Sequence, residues 1–176
     1  MIDFKKALFL CTVMLCTTFA VHAQDNGVSL DFDNFEADIQ VLQNYTAAMK
    51  AGDAAKMNAM FTDNAAIIGL GSSMDTISKM DHLTRYIETF KGSTIDVSGD
   101  IYLAIETNDN AAVGPGEWGF GWGTVSITDK KTKKIASSRY HVVAKIENGK
   151  ISLLGHYYDP VPFMVQQGYN IAPPKM

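Results

Sequence analysis

The sequence predicts an α+β domain in which three N-terminal helices pack against one face of a strongly curved antiparallel sheet. Two observations carry that expectation. Up to residue 90, apolar residues recur every three or four positions, the period of an amphipathic helix. Beyond Gly92 the period falls to two, and short polar turns interrupt the alternation, as in strands joined by hairpins. A hydrophobic share of 47% in 176 residues fits a single domain whose core needs neither disulfides nor metals.

The elements follow in order. Phe35, Ile39, Leu42, Tyr45 and Met49 mark the first helix, with Asp33 placed to cap it and Gly52 to stop it. A short second helix runs from Asp53 through Met57, Met60 and Phe61. Ala65 to Leu70 reads as a brief strand, followed by a glycine- and serine-rich loop. Ile77, Met80, Leu83, Ile87 and Phe90 share one face of a third helix, from about Thr76 to Phe90. Ile95, Val97, Ile101, Leu103 and Ile105 then alternate along a strand. Asn108-Asp109-Asn110 turns the chain into a long strand from Ala111 to Thr128. A charged turn leads to a strand from Ile135 to Ile146, and Glu147-Asn148-Gly149 to the last, Ile151 to Tyr158. The domain is expected over 34–170, after a loose segment 24–33 and before a tail 171–176.

The first 23 residues are predicted to be a signal peptide. Lys5 and Lys6 precede an apolar run from Ala7 to Val21, and Val21-His22-Ala23 offers small residues where a signal peptidase reads. The run is short for a membrane span of about 20 apolar residues, and leucines before Cys11 and Cys16 do not suit lipidation. The protein is therefore expected to be exported, to a periplasm or beyond the cell, with no membrane span after cleavage. Both cysteines fall in the removed segment, so the mature chain would hold no thiol, disulfide or cysteine metal ligand. A net charge of −4 with only two arginines, Arg85 and Arg139, argues against nucleic acid as a partner.

Few motifs carry chemistry. Gly114-x-Gly116-x-x-Gly119 has dinucleotide-fingerprint spacing, but an aromatic strand follows where a helix is required. In that strand Trp118, Phe120 and Trp122 share one face and Gly119, Gly121 and Gly123 the other, as in a sharply bent strand with an aromatic inner wall. These rings, with Tyr86, Tyr140 and Tyr158, are the expected walls of a pocket for a small apolar or aromatic molecule. His82, His141 and His156 are scattered, so no metal site and no cofactor are expected. Alternation places His156 inward with Leu154 and Tyr158, and leaves Arg139 and His141 facing solvent or a partner subunit. No nucleophile elbow, phosphate loop or zinc-protease motif is present.

Several short pieces resemble the nuclear transport factor 2-like superfamily, particularly its SnoaL-like branch. They are Tyr45-x6-Gly52-Asp53, Met60-Phe61-Thr62-Asp63-Asn64-Ala65, Asn148-Gly149-Lys150-Ile151, Tyr157-Tyr158-Asp159 and Gln166-Gln167-Gly168. The resemblance implies a cone-shaped α+β barrel with a pocket at its wide end, and a homodimer formed across the sheet. It puts Tyr45 at the position of a catalytic hydrogen-bond donor of ketosteroid isomerase-like members. Gly69 stands where those members keep their general base, and His156 where epoxide hydrolase-like members keep a carboxylate. The standard acids are thus missing. A binding domain is expected first. The alternative is an isomerase, cyclase or hydrolase with His156 as base, Tyr45 or Tyr140 as donor, and Asp159 closing the last strand.

Overall fold

A computed structural model describes residues 27–69 and 76–172. The expected signal segment, and residues 70–75 of the loop after Gly69, lie outside the described residues. Among these residues the chain forms β1 (Val28–Ser29), α1 (Phe35–Lys50), α2 (Ala54–Ala59), β2 (Phe61–Ile68), β3 (Thr76–Ile77) and α3 (Lys79–Gly92). It continues through β4 (Ser93–Thr107), β5 (Gly116–Asp129), β6 (Ile135–Glu147), β7 (Lys150–Tyr158) and α4 (Pro160–Gln166). The seven strands make one sheet in the order β1-β4-β5-β6-β7-β2-β3.

Helix α1 lies on the sheet because Leu42, Tyr45, Ala48 and Met49 form an apolar stripe, and all four are buried. Its cap differs from expectation. Asn34, not Asp33, stands at the N-cap without a side-chain cap bond; its amide donates to Glu117 Oε1 at 2.6 Å instead. Gly52 ends the helix region with φ of +70°, a backbone setting that costs any other residue more. Asp53 caps α2 by accepting from the Lys56 backbone N–H at 2.8 Å. Met60 and Phe61 leave the helix, and Phe61 opens β2 as a fully buried side chain.

The sheet is mixed rather than wholly antiparallel, because β2 runs parallel to β7 with Ile67 opposite Leu154. Period-two alternation is the same in both directions, so the sequence carries no sign of this pairing. Val28 and Ser29, expected to be loose, pair with Thr107 and Glu106. Residues 111–115 are turn, so β5 begins later than expected. A fourth helix, α4, follows β7 and packs on β6.

Two devices bend the sheet. Strand β4 shifts register between Ser98 and Ile101, around Gly99 with φ of +65°. On β5 the glycines leave one face open: a Cβ on Gly119 would meet Leu42 Cδ1 of α1 at 2.8 Å, and one on Gly121 would meet Val142 Cγ1 of β6 at 2.8 Å. The glycine face is therefore concave and covered by the helix. Trp118, Phe120 and Trp122 stand on the convex face, the reverse of the sequence expectation. Hydrophobicity ranks rings as inner residues, but the close helix leaves no volume for them there.

Candidate functional site

A cavity of ≈ 490 Å³ opens between α3, the concave sheet face and α4. That volume lies in the range of small-ligand pockets. Met49, Tyr86, Tyr140, His156, Tyr158 and Phe163 make much of its wall, while Arg85 and Glu88 stand at the exposed edge on α3. Alternation delivers three of these side chains. Tyr158 pairs with Tyr140, and His156 with Val142, so all point to the concave face. Phe163 reaches it because Asp159 caps α4, accepting from the Val161 N–H at 2.9 Å, and turns the chain across the opening.

The deepest polar feature is a tyrosine between two histidines. Tyr45 Oη lies 2.8 Å from His82 Nε2 and 3.2 Å from His156 Nε2. Tyr45 and His82 are buried, and His156 is half-buried at the cavity wall. Phe61 packs edge-on against both Tyr45 and His82, at centroid distances of 5.8 and 4.8 Å, which holds the rings in place. Helix α3 presents His82 and Tyr86 one turn apart, and its start is fixed by a capping box between Ser78 and Asp81.

Burial keeps these groups neutral. The His156 imidazole is pushed down to about 4 by loss of water. Burial, assisted by His156 nearby, drives His82 down to about 3. Burial raises the Tyr45 phenol well above its ordinary value and takes Tyr86 up to about 12. Tyr140 is also raised, chiefly by burial, with Tyr102 and Asp100 close to its hydroxyl. At neutral pH the inner wall therefore presents hydrogen-bonding groups but no charge.

Gly69 explains the missing carboxylate. Its φ is +86°, and a Cβ there would overlap the backbone carbonyl oxygen of His156. No side chain fits there, beside the backbone of His156.

The structure brings together His156, Tyr45, Tyr86, Tyr140 and Tyr158 around this cavity and its inner end. It does not bring Asp159 there: that side chain is exposed and caps α4, while its carbonyl accepts from Ser138 Oγ at 3.0 Å. Trp118, Phe120 and Trp122 are likewise absent from the cavity wall. On the convex face Phe120, Trp122, His141 and Tyr157 stack in a ladder, with Trp122 and His141 centroids 5.0 Å apart. Sequence reasoning missed His82. It placed Met80 and Ile87 on the buried face of α3, yet these are 65% and 45% exposed, and the helix turns His82 and Tyr86 inward. The four-residue spacing of His82, Tyr86 and Phe90 was the available signal. Among the described residues no helix is long and apolar enough to cross a membrane, and no cluster of three metal-ligating side chains occurs.

No protein-family model matches the chain, and no curated protein matches it in sequence. Solved structures do match in fold. A proposed polyketide cyclase of Xanthomonas campestris superposes with a TM-score of 0.62 at 13% identity, over 76% of this chain and 98% of that one. An LEH-like epoxide hydrolase of Mycobacterium tuberculosis gives 0.56 at 13% identity, over 76% and 91%. An NTF2-like protein of Burkholderia xenovorans gives 0.55 at 14% identity, over 78% and 98%. The curved sheet wrapped on a long helix, the cavity at its open end and these likenesses together identify the chain's fold as that of the nuclear transport factor 2-like superfamily, to which the SnoaL-like proteins belong.

Proposed function

We propose that the protein is an exported binding domain for a small, neutral, apolar or aromatic molecule, working without a metal or cofactor. The observation that carries this reading is the cavity itself: a ≈ 490 Å³ space walled by aromatic and aliphatic side chains, whose inner polar groups are uncharged. Such a wall favours apolar ligands and gives no counter-charge to an ionic one at its inner end, since the charged Arg85 and Glu88 stand at the exposed edge. A thermal-shift screen of apolar and aromatic compounds tests it. A ligand present at one hundred times its Kd adds about 2.7 kcal/mol to stability. No shift across the library contradicts the reading.

Export is tested by the mass of the protein recovered outside the cytoplasm, expected to begin at Gln24. The stacked convex face is the expected dimer surface, since exposed Trp122 and Tyr157 flank a flat run of rings. Light scattering that finds only monomer at micromolar concentration removes that part.

A second reading has one specific observation behind it. His156 touches Tyr45 at 3.2 Å and also lines the cavity, so a base and a hydrogen-bond network meet at one point. An imidazole of pKa about 4 is a base of carboxylate strength without the negative charge. An isomerase or cyclase built this way loses turnover in H156A while retaining ligand affinity, whereas turnover unaffected by H156A rules this reading out.

A further inference from the structure

We infer that the end of the domain beside the cavity opening is a docking surface for an anionic lipid bilayer. Lysines of the β5–β6 hairpin meet the headgroups, and the outer face of α4 enters the boundary between headgroups and acyl chains. The docking needs no ligand, so it stands or falls apart from the binding reading above. Where both hold, the cavity opens beside the phase in which apolar molecules concentrate.

Charge is the first observation. The chain carries a net charge of −4, yet four of the five residues at 130–134 are lysine: Lys130, Lys131, Lys133 and Lys134. All four are exposed. The acids beside them are already engaged. Asp129 Oδ1 holds the turn, accepting from the backbone N–H of Lys131 at 2.9 Å and of Thr132 at 2.6 Å. Glu88 pairs with Lys91 at 2.6 Å. Lys130 Nζ donates to the Phe90 carbonyl, which ties the hairpin to the end of α3. Lys131, Lys133 and Lys134 make no salt bridge among the described residues.

The second observation is apolar. Val161, Met164 and Val165 share one face of α4 and are 39 to 53% exposed, while Phe163 turns the other way into the cavity. Ile135, at the foot of the hairpin, is exposed as well. Two hydrogen bonds set these parts side by side. The Ser137 N–H donates to Gln166 Oε1 at 3.0 Å, and Gln166 Nε2 donates to the Ser137 carbonyl at 3.1 Å. Ser137 lies three strand residues from Lys134, about 10 Å. Ile127 of the cavity wall stands two residues before the turn at Asp129. Basic hairpin, apolar helix face and cavity edge therefore make one region.

A bilayer uses both halves of that region. A polyanion would satisfy the lysines and leave the α4 face in water. Anionic headgroups satisfy the lysines while the apolar face leaves water at the membrane boundary. The lysine stems are long enough to reach headgroups as Ile135 and α4 settle deeper.

Vesicle co-sedimentation of the full mature chain tests this. Vesicles of phosphatidylglycerol and phosphatidylcholine in equal parts are expected to bind at least about tenfold more protein than pure phosphatidylcholine ones. Salt at about 1 M, with a screening length of about 3 Å, should release most of it. The variant K131E/K133E/K134E is expected to lose at least about a hundredfold in partitioning, three lysines at about fivefold each. The variant M164S/V165S is expected to lose about tenfold. All five side chains are exposed, so both variants should keep the wild-type melting temperature. If either does not fold, the comparison of anionic with neutral vesicles decides alone. Equal binding to both vesicle types, binding to neither, or binding indifferent to either folded variant overturns the inference. Polyglutamate that binds more tightly than the anionic vesicles assigns the surface to an acidic protein and also overturns it. Acetophenone bound by a protein that ignores vesicles leaves the binding reading intact. Docking on vesicles by a protein that binds no aromatic probe contradicts that reading and supports this one.

Discussion

Mild acid should destabilise this protein through its two inner histidines well before most carboxylates are protonated. An unfolded histidine titrates near 6.5, whereas His156 and His82 are held at about 4 and about 3 in the fold. Between those values the unfolded chain binds protons that the native one refuses. Stability from these groups is therefore complete above about pH 6.5 and is lost as pH falls. At pH 5 each unfolded histidine gains about 2 kcal/mol from protonation, roughly 4 for the pair. Asp38 works the other way. Burial, with Glu117 nearby, raises its carboxyl to about 6, so the native state takes up that proton first. At pH 5 this returns a little over about 1 kcal/mol. The net loss from pH 7.5 to pH 5 is then on the order of 2 to 3 kcal/mol, a sizeable part of a domain's 5–15 kcal/mol. The paired carboxylates Asp63, Asp81 and Asp129, all held below their ordinary value, contribute only at lower pH. Urea melts at both pH values measure the difference directly. Equal stability at pH 7.5 and pH 5, or an imidazole of the native protein titrating near 6.5 at either position, refutes the reasoning.

Three further outcomes follow from the same contacts. Gly69→Ala places a Cβ against the His156 carbonyl at φ of +86°, so it should cost more than about 2 kcal/mol by thermal melt. Tyr140→Phe removes a buried hydroxyl set beside Tyr102 and Thr46; stability should fall by about 1 kcal/mol in urea melts, and an unchanged midpoint contradicts this. Trp122→Ser, on the convex face, should leave ligand affinity unchanged and weaken self-association measured by light scattering.

The sequence showed the period change at Gly92, and with it the α+β class and the hairpin order from β4 to β7. It also aligned Tyr45 and His156, because strand alternation and the spacing to Gly52-Asp53 are properties of short stretches of chain. What it hid depends on neighbours far away in sequence. The parallel pairing of Ile67 with Leu154 leaves no trace in the alternation of β2. The two faces of β5 were exchanged because a pattern of rings and glycines reads the same from either side. Only the approach of Leu42 to Gly119 settles which is inner. His82 looked like an isolated surface histidine, since its partner Tyr45 is 37 residues away.

The account depends on ligands entering the concave side, where the inner polar groups are few and neutral. The most direct measurement is an amide and imidazole chemical-shift titration of the labelled protein with acetophenone. Shifts concentrated at Met49, Tyr86, His156 and Phe163 are the predicted result. Shifts concentrated at Phe120, Trp122 and His141, or no saturable shift at all, would contradict it.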